Sequence, residues 1–302
     1  MIKYLAIDIG GSSVKTAIVT EEGKIFEKNS FKGDKYNFDN FKGSMVEAIL
    51  RAKEENNIGG VAISAPGGVD SETGVIGGAS ALPCIHGHNF KKLFGEDLGL
   101  KVEIENDANC AALGEVWKGA AKDNKDVLFV VCGTGIGGAV VKNKIIHKGQ
   151  NLHGGEFGYS ILEKEIVDGK FVFKTWSHLG AMGALVEKVA EVTGEDPEVL
   201  DGKEVFKRAD EGDAVAIKAI DDFYLYNAMG IFNIQYTYDP EKILIGGAIS
   251  GRRDFIERIN EKLDVIISYL SMAKVRPIIE KCAFENDANL LGALYNYLQR
   301  NK

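Results

Sequence analysis

The pentapeptide Glu-Asn-Asp-Ala-Asn occurs twice, at residues 105–109 and 285–289. Each copy follows an apolar stretch, KVEI or KCAF, and leads into a small-residue helical pattern, CAALGEVW or LLGALYNY. An aspartate where a strand gives way to a helix has two uses. It can cap the helix by accepting a backbone N–H. It can also stay ionised in the field of the helix dipole and take a proton from a hydroxyl as that oxygen attacks. Residue types alone do not choose between Asp107 and Asp287 for the second role.

Two Gly-rich turns supply the complementary chemistry. Asp8-Ile9-Gly10-Gly11-Ser12-Ser13 and Gly133-Thr134-Gly135-Ile136-Gly137-Gly138 each follow an apolar run. Without a Cβ, backbone N–H groups can approach an anion closely, and the hydroxyls of Ser12, Ser13 and Thr134 add donors. Each turn alone could be a plain hairpin; as a pair they are suited to gripping a polyphosphate. The second is not a dinucleotide fingerprint, because AVVKNKIIHKG follows it and not a helix. Asp8, at the end of the first apolar run, is placed to hold Mg²⁺ directly or through water, or to stabilise its turn. Gly246-Gly247 after KILI would let a ring or ribose lie on the backbone. In HGGEFGY (153–159), Glu156 could accept two sugar hydroxyls beside His153, and SAPGGVD (64–70) offers Gly67 and Gly68 at a strand end.

The elements that must position these groups are written twice. KYLAIDIGGSSVKTAIVTEEGKIFEK and DVLFVVCGTGIGGAVVKNKIIHKG both read as three-strand meanders with a Gly-rich first turn. Each half then carries helical segments (about 40–55 in the first, about 175–235 in the second), a strand (GVAISAP or KILIGG), and a closing strand–ENDAN–helix. The duplication predicts two similar α/β lobes with a cleft between them. The first would be residues 1–118, joined by a returning helix over about 288–302, and the second 119–287.

Bulk properties agree with an ordinary globular protein. At 302 residues, 45% hydrophobic and 26% charged, the chain is long enough for two lobes. A net charge of −8 with no basic run argues against a nucleic-acid partner. No apolar run approaches the roughly 20 residues needed to cross a bilayer, and the start, MIKYLAIDIGG, reads as a strand and not a signal peptide. Cys84, Cys110, Cys132 and Cys282 form no CxxC pair and read as thiols in a reducing cytoplasm.

In order and spacing, DIGGSSVK, SAPGGVD, ENDANCAALGE, GTGIGGAV, HGGEFGY, ILIGG and NDANLLGAL resemble the ROK family of sugar kinases and sugar-responsive repressors, over essentially the whole chain. The resemblance implies a duplicated actin-like ATPase (ribonuclease H-like) fold with ATP, Mg²⁺ and a sugar in the interlobe cleft. It implies Asp107 as catalytic base, Asn106 and Glu156 on sugar hydroxyls, with Gly67, Gly68 and His153 nearby. It also implies ATP phosphate contacts from the two Gly turns (Gly10, Gly11, Ser12, Ser13 and the 133–138 loop), and Asp8, Lys15, Gly246 and Gly247 are expected to meet the nucleotide beside them. Asp287 falls in the family's closing element and reads as structural. A cytoplasmic homodimer is the family expectation.

Two departures narrow the branch. Many members carry a CxCGxxGC zinc cluster and a histidine after the GE turn; here that position is Tyr159, and residues 166–183 hold no cysteine. No zinc site is expected. GEFGY without the cluster resembles the β-glucoside kinase branch, which phosphorylates the 6-hydroxyl of glucose units in disaccharides such as cellobiose. Glucokinase, another hexose or N-acetylhexosamine kinase, a silent sugar sensor and a transcriptional regulator are the alternatives. Family repressors add a helix-turn-helix ahead of the first strand, whereas this chain starts immediately before it.

Overall fold

Strand β1 (Lys3–Ile9) shows how the first half is built. Every residue after Lys3 is buried, because both faces of the strand are covered, and a strand covered on both faces reads as a continuous apolar run. Leu5, Ile7 and Ile9 pack in one cluster with Phe41, Met45 and Ile49, whereas Tyr4 and Ala6 pack in another with Leu290, Leu294 and Tyr297. Side chains alternate between the faces, so Asp8 falls on the Tyr4–Ala6 side.

In this computed structural model, residues 1–11, 13–284 and 287–302 are described; Ser12, Glu285 and Asn286 lie outside the described residues. β1 is followed by β2 (Val14–Thr20) and β3 (Ile25–Phe31), an antiparallel meander. Helix α1 (Phe38–Asn56), capped by the Asn37 side chain, leads to β4 (Val61–Ala65), parallel to β1. A small hairpin of β5 (Gly68–Asp70) and β6 (Val75–Gly77) and a short α2 (Phe90–Phe94) precede β7 (Val102–Asn106), parallel to β4. α3 (Asp107–Lys118) follows without a linker. The sheet order is β3-β2-β1-β4-β7.

The second half repeats the plan with insertions. β8 (Val127–Cys132), β9 (Ile136–Lys142) and β10 (Ile145–Ile146) form the meander, and β11 (Ile161–Val167) and β12 (Lys170–Thr175) form a separate antiparallel hairpin. Four helices follow: α4 (Trp176–Gly180), α5 (Met182–Thr193), α6 (Gly202–Asp210) and α7 (Ala214–Tyr238). β13 (Lys242–Gly246) lies parallel to β8, α8 (Phe255–Tyr269) crosses to β14 (Ile279–Lys281), parallel to β13, and α9 (Ala288–Arg300) closes the chain. The order β10-β9-β8-β13-β14 reproduces that of the first sheet. The helical stretch expected over about 175–235 is divided because Gly194 takes a left-handed φ of 72° and Asp201 and Asp213 each start a new helix by side-chain capping. The β11–β12 hairpin is an addition to the sequence reading. It turns at Asp168-Gly169, both with positive φ, the pattern a two-residue hairpin needs.

Chain contacts gather the protein into two compact units: Met1–Lys125 with Val140–Gly154 and Ala283–Lys302, and Asp126–Ala139 with Gly155–Cys282. The sequence placed its boundaries at 118/119 and 287/288. Residues 119–125 and 140–154 instead group with the first unit, held by bonds such as Lys144 N–H to the Lys125 carbonyl (2.9 Å) and the Gln299 amide to the Lys144 carbonyl (2.9 Å). Within this unit α3 and α9 cross closely at glycines: a Cβ on Gly292 would lie 1.6 Å from the Cys110 carbonyl oxygen, and one on Gly114 2.5 Å from that of Ala288.

Candidate active site

Parallel pairing of β1, β4 and β7 brings three strand ends together in the first unit. Asp8 is opposite Ser64, Ser64 opposite Glu105, and Ala65 opposite Asn106. The Ser64 hydroxyl donates to Asp8 Oδ1 (3.0 Å), and Asn289 Nδ2, from the first turn of α9, donates to the same oxygen (2.9 Å) and to Ser64 Oγ (3.3 Å). Asp8 is therefore a buried carboxylate held in a fixed orientation by residues on the α9 face of the sheet. Its Oδ2 accepts no bond from the described residues.

At the β7–α3 junction the capping role falls to Asn106. Its Oδ1 accepts from Asn109 N–H (3.2 Å) and its Nδ2 donates to the Gly67 carbonyl (3.0 Å), tying the end of β7 to the SAPGG loop. Asp107 is the first residue inside the helix, with Oδ1 accepting from the adjacent Ala108 N–H (2.8 Å). It is half-buried. Burial, reinforced by the negative charge of Asp8, raises its pKa above the usual aspartate value, against the opposing pull of the Ala108 N–H and Asn106. Capping of α3 thus falls to Asn106, and Asp107 is a part-buried carboxylate whose pKa is raised.

Glu105, only 2% exposed, is saturated. Oε1 accepts from Asn106 N–H (2.8 Å) and Asn109 Nδ2 (2.9 Å); Oε2 accepts from the Ser71 hydroxyl (2.8 Å) and pairs with Lys148 (2.7 Å). Gly10 N–H closes the first Gly-rich turn on the Ser13 carbonyl (3.0 Å), and Lys15 is opposite Asp8 across β1 and β2. Gly11 is exposed beside these, and Ser12 lies outside the described residues. Gly67, with φ 100°, and Gly68 lead into β5. His153 is exposed, its Nδ1 donating to the Asn151 carbonyl (2.6 Å).

In the second unit, the 133–138 loop and Gly246-Gly247 sit at the carboxyl ends of the adjacent parallel strands β8 and β13, where open α/β sheets bind ligands. A Cβ at Gly133 or Gly137 would meet nothing within 4 Å, so these two glycines are not demanded by protein neighbours and leave backbone open to a ligand. Gly247 is demanded: its φ is 94°, and a Cβ would lie 2.2 Å from the Cys132 carbonyl oxygen. The loop is braced by Met182 N–H on the Gly133 carbonyl (2.8 Å) and Ile136 N–H on Ser177 Oγ (3.0 Å), with Thr134 and Gly135 exposed. Gly138 packs under the Phe157 ring, and a Cβ on Gly155 would lie 2.8 Å from Ala139 Cα, which fixes the GGEFG turn on β9 and leaves Glu156 exposed. Tyr159, at the position where the family histidine was expected, is 75% exposed.

Sequence reasoning did not single out Ser64, Glu105, Asn289 or Lys148. The first three lie inside motifs already quoted, but their roles depend on which face of the sheet α9 covers. Lys148 carries no sequence signal beyond the neighbouring Gly149.

The family model described as ROK family matches residues 4–300. A β-glucoside kinase of Listeria monocytogenes is 35% identical, covering 99% of this chain and 98% of its own. A glucokinase of Halalkalibacterium halodurans is 32% identical, covering 83% and 82%. Among solved structures, a ROK family protein from Streptococcus pneumoniae in complex with sucrose superposes with a TM-score of 0.89 at 36% identity, covering 99% of both chains. A duplicated 3-2-1-4-5 sheet order, paired glycine loops and an aspartate at a strand–helix junction, together with these matches over the full length, identify the chain as a member of the ROK family, with its actin-like ATPase fold.

Proposed function

We propose that this protein is an ATP-dependent sugar kinase that transfers the γ-phosphoryl group to the 6-hydroxyl of a glucose unit in a β-glucoside such as cellobiose. One observation carries the reading: Asp107 is relieved of capping by Asn106, half-buried, and raised in pKa beside Asp8. As the sugar hydroxyl attacks phosphorus, Asp107 takes its proton. A raised pKa makes the carboxylate a better acceptor, and general-base help of this kind is worth about 10²–10⁴ in rate. Asn106, Gly67, Gly68, His153 and Glu156 orient the sugar. Backbone N–H groups of residues 10–13 and 133–138 hold phosphate oxygens, Lys15 adds positive charge, and Gly246-Gly247 receives the nucleoside.

A hard divalent cation prefers carboxylate oxygen, and Asp8 Oδ2, which accepts no bond from the described residues, would suit Mg²⁺. Bound there, Mg²⁺ would neutralise phosphate charge. The β-glucoside preference rests on the listerial relative and on Tyr159 standing where the histidine was expected. The family expectation of a cytoplasmic homodimer is carried with it. Among the described residues no helix is long and apolar enough to cross a membrane.

The test is a coupled ATPase assay with Mg²⁺, comparing cellobiose, other β-glucosides, glucose, mannose and N-acetyl sugars. Turnover with β-glucosides well above glucose is expected. A preference for a free hexose would keep the kinase and discard the branch. If every sugar is inert, the silent-sensor alternative replaces it.

A further inference from the structure

The segment 147–154 belongs to the first unit and carries His153. A cavity of about 630 Å³, lined in part by Ser71, Gly149, Gln150 and Leu152, lies against it. The segment therefore has little packed core behind it, and its position depends on polar anchors. The principal anchor is Lys148. Its Nζ lies 2.7 Å from Glu105 Oε2 and 3.2 Å from the Val69 carbonyl, and it donates to Ser71 Oγ. Two of the ammonium group's three N–H donors go to the Val69 carbonyl and Ser71 Oγ, and its charge faces Glu105. Its partner Glu105 reaches the N–H of Asn106 and the side chain of Asn109 through its other oxygen. One ion pair, with Glu105 buried and Lys148 part-buried, thus joins three pieces of chain: the β7–α3 turn with Asn106 and Asp107, the 67–71 loop, and the 147–154 segment.

Building on the kinase reading, we propose that Lys148 is a positioning residue for sugar binding, setting the geometry of the three sugar-facing segments through Glu105 without touching substrate. Binding groups displaced by an ångström lose much of their effect. ATP contacts from residues 10–13 and 133–138 do not run through this pair, so the two substrates should respond differently.

The experiment compares wild type with Lys148→Met, Lys148→Arg and the double variant Lys148→Met/Glu105→Gln, which leaves no unpaired buried charge. KM is measured separately for cellobiose and for ATP, with amide hydrogen exchange followed over 67–71 and 147–154. Lys148→Met and the double variant are expected to raise the KM for sugar about tenfold or more with little change in that for ATP. Lys148→Arg should recover part of the loss, and exchange should accelerate in both segments but not in α1. Folded variants with unchanged sugar KM, or with both KM values raised equally, would overturn the proposal. So would unchanged exchange, which reads out even if wild type turns over no sugar; that result by itself would defeat only the kinase reading. Failure of the double variant to fold would make the pair a folding element and likewise overturn it.

Discussion

The two ENDAN copies share a sequence and differ in depth. In the first, β7 runs straight into α3, and Asp107 stands half-buried at the sheet edge with a raised pKa. In the second, β14 ends at Lys281 and α9 begins at Ala288, so Asp287 starts its helix six residues after the strand. Both Asp287 oxygens reach the exposed Lys28 at 2.7 Å. The asparagines part in the same way. Asn109 turns back to its own Glu105 (2.9 Å), whereas Asn289 reaches across to Asp8 (2.9 Å). The lesson is that a repeated motif need not repeat its roles: the first copy presents the aspartate proposed as base, and the second supplies, through a different residue, support for the carboxylate beside it.

The sharpest way to break this contrast is Asp107→Asn. Turnover should fall by about 10²–10⁴ while ATP and sugar binding persist, measured by single-turnover kinetics and calorimetry. Near-normal turnover would remove the base assignment. Stability should move the other way. The folded chain holds the Asp107 proton more tightly than the unfolded chain, so ionisation costs folding free energy. The cost sets in as pH rises from the ordinary 3.8 through the raised value and is fully present at neutral pH. Asparagine removes it, so the variant should melt higher than wild type at pH 7, with the advantage shrinking as pH falls through that window.

Asn289→Ala tests the crossing contact. A hydrogen bond to a charged group is worth about 1.5–3 kcal/mol, so loss of the Asp8 donor should lower kcat roughly tenfold or more with little change in sugar KM. An unaltered kcat would return the second copy to a purely structural part. The smallest effect belongs to Asp287→Asn. Its pair with Lys28 is 33% and 55% exposed, and exposed pairs contribute at most about 1 kcal/mol. A small drop in melting temperature with full turnover is expected; lost turnover in the folded variant would reverse the contrast.

Much of the fold was legible because duplication leaves a periodic trace: two meanders with Gly-rich turns and two ENDAN helices map onto two sheets of identical order. The site was legible only in part. Composition and spacing left Asp107 and Asp287 equivalent, and the resemblance to the family separated them. That Asn106 caps α3 depends on its ψ of 148°, a backbone detail no residue type dictates beside an equally competent aspartate. Asn289 was hidden for a topological reason: its reach to Asp8 exists only because α9 lies on the face of β1 that carries Tyr4, Ala6 and Asp8. Lys148 was hidden because a solitary lysine in a loop is ordinarily solvated, and only the arrival of Glu105 and Ser71 from distant segments makes it a junction.

The close crossing of α3 and α9 also governs how the protein can be made. Tyr4, Ala6, Ala62 and Cys110 are synthesised early, yet Leu290, Leu294 and Tyr297, which cover them, leave the ribosome only after the whole second unit. Folding during synthesis usually proceeds from the N-terminal domain onward, but here the first unit keeps an uncovered apolar face until α9 emerges. Asp107, the Asn106 cap and the donor to Asp8 become one assembly only then, so a chain stalled before α9 holds Asp107 but lacks the Asn289 that steadies its neighbour.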